Sequence, residues 1–298
     1  MRKAMYHTPV VTAFEEDGSL DVQGNKNVYD YLIEGGVDGI VLLGSTGEFF
    51  SMTMEQKKEL IQIAADHIDK RVKLLIGTSC MRVDETIELS NFALASGADA
   101  VMIIGPYYFS LSDQSIEAFY DAVASEVKGD IYLYNFPDRT GYDLSAEITL
   151  NLLRKHENIV GYKDTVTEVG HTRDLITKII PEFPDFDILA GFDESMSRIA
   201  LSGGGGCIGG LSNLYPEICS GYTRAINEND LDSLKVYQAK IDSLMDIYKI
   251  GNPFIPIVKK AMIMRGVAIK DVSTQPFLSA TDLQTERIRL LLDKVDNM

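Results

Sequence analysis

Cysteine is scarce in this chain: only Cys80, Cys207 and Cys219 occur in 298 residues, none in a C-x-x-C pair. So sparse and odd a set makes no disulfide framework, and a reducing cytoplasm is the expected location. Basic residues are also few. The 28 Lys and Arg stand against 44 Asp and Glu, a formal charge of −16, with no dense basic run. That excludes a phosphate-backbone footprint and hence nucleic acid as a partner. It also means that an acidic substrate has to be held by local donors: hydroxyls, backbone amides, one Lys or one Arg. Long apolar runs are missing too. The opening MRKAMYHTPVVTAF has no signal-peptide core or cleavage site, and nothing later spans a bilayer, so a soluble, unexported protein without a membrane partner is expected. The four histidines, His7, His67, His156 and His171, show no ligand spacing with Asp, Glu or Cys. A metal site is therefore disfavoured. The glycine run 203–206 lacks the Lys-Ser/Thr of a phosphate loop and precedes a strand, so a tight turn accounts for it. No metal and no cofactor are expected.

What is present is alternation. Short Val/Ile/Leu-rich runs at 5–14, 39–44, 72–79, 100–106, 130–137, 159–165, 186–192 and 206–213 read as eight strands. Amphipathic stretches such as 53–68 and 82–97 lie between them as crossover helices. Successive starts at 39, 72, 100, 130 and 159 are 33, 28, 30 and 29 residues apart, one βα unit each. Eight such units close a (β/α)8 TIM barrel. The rival doubly wound sheet would bring a glycine-rich nucleotide turn after its first strand, where this chain has EEDGSL. The α/β barrel is expected over residues 1–228, and the helical periods at 231–250 and 281–298 predict a C-terminal helical extension, 229–298, packed on it.

Barrel chemistry sits at the C-terminal strand ends. In IVGYKDT, alternation puts Ile159, Gly161 and Lys163 on one face, aiming a lysine into the barrel mouth above a small residue. A desolvated amine can attack a ketone to form an imine; the competing role is an ion pair with Asp164. In YLYNFPDRTG, Tyr132 and Tyr134 share a face, with Tyr134 on the strand next to Lys163 and placed to move protons; Tyr132 reads as core. In VLLGSTGEFF, Gly44, Ser45, Thr46, Gly47 and Glu48 form a small-anion cradle of amides and hydroxyls suited to a 2-keto acid, or a plain tight loop. In LAGFDESMSR, Asp193 and Glu194 either accept hydrogen bonds from substrate hydroxyls or favour a helix dipole.

Taken together and in order, GSTGE, PYY, YNFPDRTG, GYKDT and GFDES resemble the dihydrodipicolinate synthase and N-acetylneuraminate lyase family over nearly the whole chain. The resemblance implies a homotetramer of barrels that binds pyruvate as an imine. It makes Lys163 the Schiff-base lysine, Tyr134 the proton-shuttling tyrosine, and Ser45 and Thr46 the hydroxyls gripping the pyruvate carboxylate. Tyr108 matches the tyrosine that a neighbouring subunit lends to the site, forming with Ser45 and Tyr134 a proton relay. Ile208 matches the position whose backbone lies beside the keto acid, and Gly191, opening GFDES, falls on the same substrate side. Arg139 matches the arginine that holds the second carboxylate of aspartate semialdehyde in the synthases. The sequence PYYFSLSDQS departs from their Pro-Tyr-Tyr-Asn-Lys-Pro, while GSTGE and GFDES, the latter with Asp193 and Glu194, look like the sialic acid lyases. GVDGIVLLGS, ETIELS and GYKDT look most like bacterial 2-keto-3-deoxy-sugar-acid aldolases. The expected function is thus a class I aldolase joining or cleaving pyruvate and an aldehyde, most simply a sugar-acid aldolase. Dihydrodipicolinate synthase, N-acetylneuraminate lyase and a non-enzymatic keto-acid-binding paralogue are the alternatives.

Overall fold

The structure is a computed structural model that describes residues 2–298. Eight strands, β1 (Met5–Pro9), β2 (Gly39–Leu42), β3 (Lys73–Gly77), β4 (Ala100–Ile104), β5 (Ile131–Asn135), β6 (Ile159–Asp164), β7 (Asp187–Ala190) and β8 (Gly206–Ile208), run in sequence order around a closed barrel. Each starts within one residue of its expected position and stops short of its expected end. The missing ends are loops or short helical turns. Leu43 turns to φ 54, a left-handed value that no strand tolerates, and Pro137 opens a short helix, Pro137–Thr140.

By contacts the chain forms two compact units, one built from Leu74–Ile208 with the few residues up to Ala4, the other from Met5–Lys73 with Gly209–Met298. The first holds β3 to β8 and the crossover helices Val83–Ala95, Asp113–Glu126, Ala146–Leu153 and Val169–Ile179. Its register sets Tyr132 against Gly161, Tyr134 against Lys163, and Asn135 against Asp164. Gly161 makes room for its neighbour, because a Cβ would lie 2.2 Å from the Tyr132 ring and force it to shift. The Tyr132 hydroxyl in turn donates to Asp187 Oδ2 at 3.1 Å, so this core tyrosine also has polar work. The glycine run turns tightly just ahead of β8 and packs against the first residue of β7, where a Cβ on Gly205 would meet Asp187 Oδ1 at 1.6 Å.

The second unit holds β1, β2 and the helix Met54–Ile68, begun by Thr53 in a capping box with Gln56. Residues 229–298 belong to this same unit, as helices Leu231–Leu244, Ile255–Met264 and Asp282–Asp296. Ile40, Val41 and Leu42 are wholly buried, as an unbroken apolar run in a barrel strand requires. Among the described residues no helix is long and apolar enough to cross a membrane.

Candidate active site

β5 and β6 carry the central pair. Lys163 is 5 % exposed and Tyr134 4 %, and Lys163 Nζ lies 4.2 Å from the centroid of the Tyr134 ring. The pairing follows from register: directly opposed residues on adjacent strands point to the same side. The alternative partner for the lysine, Asp164, is engaged elsewhere. Its Oδ2 accepts from Thr172 Oγ1 at 2.6 Å and lies 3.0 Å from His171 Nδ1, and its Oδ1 accepts from Asn135 Nδ2 at 3.2 Å. No ion pair to Lys163 is found among the described residues. Next along, the Phe136 ring stacks near Tyr134 at 6.2 Å between centroids, and the exposed Arg139 guanidinium stands 5.5 Å from the Phe136 ring. One face thus runs from an amine, across two aromatic rings, to a guanidinium.

The loop after β6 adds a residue that sequence reasoning passed over. The hydroxyl of Thr165 is buried and without a hydrogen-bond partner among the described residues. It faces Gly191, where a Cβ would come within 1.9 Å of Thr165 Oγ1. Gly191 is glycine because the threonine fills its side-chain space. An unpaired buried hydroxyl is costly, so this one has capacity for a further hydrogen bond. The quoted motif GYKDT contained it, but no spacing rule separates a ligand threonine from a packing one.

Asp193 is buried and Glu194 half-buried on the short turn Asp193–Ser195 that follows β7, ahead of the helix Met196–Leu201. Ile208 ends β8, fully buried. Tyr108, after β4, is 80 % exposed and meets Phe109, 73 % exposed, edge to face at 5.0 Å. Two hydrogen bonds tie that loop to the one bearing Arg139: Ser110 Oγ to Gly141 O at 2.7 Å and Tyr142 Oη to Pro106 O at 2.7 Å.

In the second unit Ser45–Gly47 form a single 3-10 turn after β2, with Leu43 at φ 54 and Glu48 at φ 60 on either side. Two left-handed non-glycine residues around one loop are a strain that only firm anchoring sustains. The anchor is Glu48. Its Oε1 accepts from Lys259 Nζ at 2.5 Å, its Oε2 from both the amide and hydroxyl of Thr274 at 2.7 Å, and neither charged side chain is more than 1 % exposed. Burial lowers the Lys259 pKa, and the Glu48 carboxylate opposes that shift. The turn corrects one expectation about the cradle. The amides of Gly47 and Glu48 donate back to Gly44 and Ser45 at 3.0 and 3.2 Å, so these two are not spare anion donors. Glu48 itself is structural support, a role its place in GSTGE did not reveal.

A parallel barrel with a buried lysine and tyrosine side by side at neighbouring strand ends has the parts of an enzyme that works through a lysine imine. The family model of the dihydrodipicolinate synthetase family matches residues 4–295, and the chain belongs to that family of class I pyruvate-dependent lyases. It is 36% identical over 284 residues to the Escherichia coli (strain K12) protein named "Probable 2-dehydro-3-deoxy-D-pentonate aldolase YjhH", covering 95% of this chain and 94% of that one. Among solved structures it resembles YagE from E. coli K12, a prophage protein of the dihydrodipicolinic acid synthase family in complex with pyruvate. The TM-score is 0.95, with 33% identity and 98% of each chain covered. Dihydrodipicolinate synthase from Aquifex aeolicus is also similar, with a TM-score of 0.92, 25% identity and 98% of each chain covered.

Proposed function

We propose that this lyase cleaves, and in reverse forms, a 2-keto-3-deoxy sugar acid through a Schiff base on Lys163. The observation that carries the reading is the buried Lys163 Nζ set 4.2 Å from the Tyr134 ring. The Lys163 amine adds to the C2 carbonyl, and the carbinolamine loses water to give an iminium. Tyr134 removes the proton of the C4 hydroxyl; the C3–C4 bond breaks, its electrons pass to the iminium nitrogen, and the aldehyde leaves. The enamine takes a proton at C3, and water returns pyruvate and the free amine. Ser45 and Thr46 hold the keto-acid carboxylate, with Ile208 beside it.

The substrate class is supported by the identity to a relative named as a deoxy-pentonate aldolase. Asp193, Glu194 and the unpaired Thr165 hydroxyl at the ends of β7 and β6 supply the groups that a polyol chain needs. The 80 % exposed Tyr108 supports a homotetramer in which this ring is lent to a neighbouring copy. A cytoplasmic location fits three buried cysteines that form no disulfide. A second reading, condensation of pyruvate with aspartate semialdehyde, rests on Arg139, whose guanidinium stands at the end of the Tyr134–Phe136 ring stack.

The test is a condensation panel of pyruvate with glyceraldehyde, N-acetylmannosamine and aspartate semialdehyde, run on wild type and Arg139→Ala. Turnover with glyceraldehyde that survives Arg139→Ala supports the sugar-acid reading. Turnover confined to the semialdehyde and lost in Arg139→Ala replaces it with the synthase.

A further inference from the structure

His171 was set aside in the sequence as a histidine without metal-ligand spacing, and the proton chemistry above makes no use of it. It nonetheless closes a ring of polar contacts behind the reacting pair. Asn135 and Asp164 are register partners, one residue beyond Tyr134 and Lys163. By strand alternation their side chains leave the opposite face of the sheet. There Asn135 Nδ2 donates to Asp164 Oδ1 at 3.2 Å and to Asp143 Oδ1 at 2.9 Å. The His171 ring bridges the same two carboxylates, with Nδ1 3.0 Å from Asp164 Oδ2 and Nε2 3.0 Å from Asp143 Oδ2.

The ring of contacts also holds backbone. Asn135 Oδ1 accepts from the Leu144 amide at 3.0 Å, Asn135 O from the Thr165 amide at 2.9 Å, and Asp164 O from the Gly191 amide at 2.7 Å. It therefore joins the ends of β5, β6 and β7 to the segment after Arg139 and to the helix Val169–Ile179. The groups facing the imidazole are Asp164 from β6, Asp143 from the loop after β5, and the Tyr162 ring at 6.5 Å between centroids.

We propose that His171, as a cation held between Asp143 and Asp164, is a positioning residue that fixes Lys163 and Tyr134 relative to each other and to the loop bearing Arg139. Two carboxylates that would otherwise repel each other become a clamp when a positive ring lies between them. Burial disfavours that charge, but the Asp143 and Asp164 carboxylates on either side of the ring outweigh it and raise the pKa to about 10. The clamp is thus closed through the neutral range and opens only in strong alkali.

The proposal rests on Lys163 and Tyr134 being the reacting pair, so the experiment reads both. Wild type, His171→Gln and Asp143→Asn are compared as full chains by thermal melting, by kcat and KM against pH, and by borohydride trapping with pyruvate. The expected result for His171→Gln is a kcat lower by roughly tenfold to a hundredfold, with KM for the keto acid changed by less than about threefold. In Asp143→Asn, losing one carboxylate moves the alkaline limb of kcat down by about one pH unit or more. A merely structural role would lower the melting temperature and leave that limb in place. Folded variants with wild-type kcat and an unmoved limb overturn the proposal, and if His171→Gln does not fold, the limb of Asp143→Asn decides. A wild type that gives no adduct on Lys163 would instead overturn the reading on which the proposal rests.

Discussion

Tyr134 and Lys163 occupy paired positions on adjacent parallel strands, and the lysine nitrogen stands 4.2 Å from the centre of the tyrosine ring. Register alone places them together, and the barrel buries both. In the proposed reaction the amine adds to a carbonyl and the phenol exchanges protons with the adduct, and both steps need this proximity before substrate arrives.

Lys163→Ala is therefore expected to lower kcat by at least about 10³-fold and to abolish the borohydride adduct with pyruvate. Tyr134→Phe keeps the amine and loses the proton carrier, so kcat falls by about 10²- to 10⁴-fold. Peptide mapping of the reduced enzyme checks the pair: an adduct that persists in Lys163→Ala would assign the imine to another lysine.

The strand beneath the lysine has no spare volume. A methyl at Gly161 would lie 2.2 Å from the Tyr132 ring. Gly161→Ala is expected to cost about 1–3 kcal/mol in denaturant unfolding and to reduce kcat, since Lys163 is two residues on along the same strand. Wild-type stability in this variant would show that the Tyr132 ring moves aside freely.

Breaking the buried pair under the Ser45–Gly47 turn is the more severe change. Lys259→Met leaves the fully buried Glu48 carboxylate without its cation, at about 3–5 kcal/mol. The released turn should also raise KM for the keto acid. Adding Glu48→Gln to Lys259→Met removes the unpaired charge, so the double variant should regain part of the stability. Additive losses in that cycle would argue against the pairing.

His7 predicts acid sensitivity. It is fully buried, and neither ring nitrogen has a hydrogen-bond partner among the described residues. Burial first, and the charge of Lys73 second, lower its pKa to about 4. The unfolded histidine takes up its proton near its ordinary value of about 6.5 and the folded one only near 4, so stability present above the upper value is lost as pH falls between them. The loss amounts to about 3 kcal/mol. His7→Leu has no such term. The stability difference between variant and wild type, measured by denaturant at pH 7 and pH 4, should therefore shift by about that amount in the variant's favour; no shift would mean that a proton is accommodated inside.

The sequence alone was enough for the barrel, because strand and crossover each leave a local hydrophobic period and the unit recurs about every thirty residues. Alternation likewise put Lys163 and Tyr134 on the same side of adjacent strands without any knowledge of distant contacts. Strand ends were overestimated because the residues beyond them remain apolar while their backbone has already turned, as Leu43 does. What the tertiary structure decided was pairing between charges and polar groups. Glu48 meets Lys259 across 211 positions. His171 joins Asp164, seven residues away, to Asp143 from the preceding loop. Side-chain charges carry no period, and their partners are chosen by how helices and loops settle on the barrel. The facing lysine and tyrosine could therefore be read from the chain, while these pairings of charges could not.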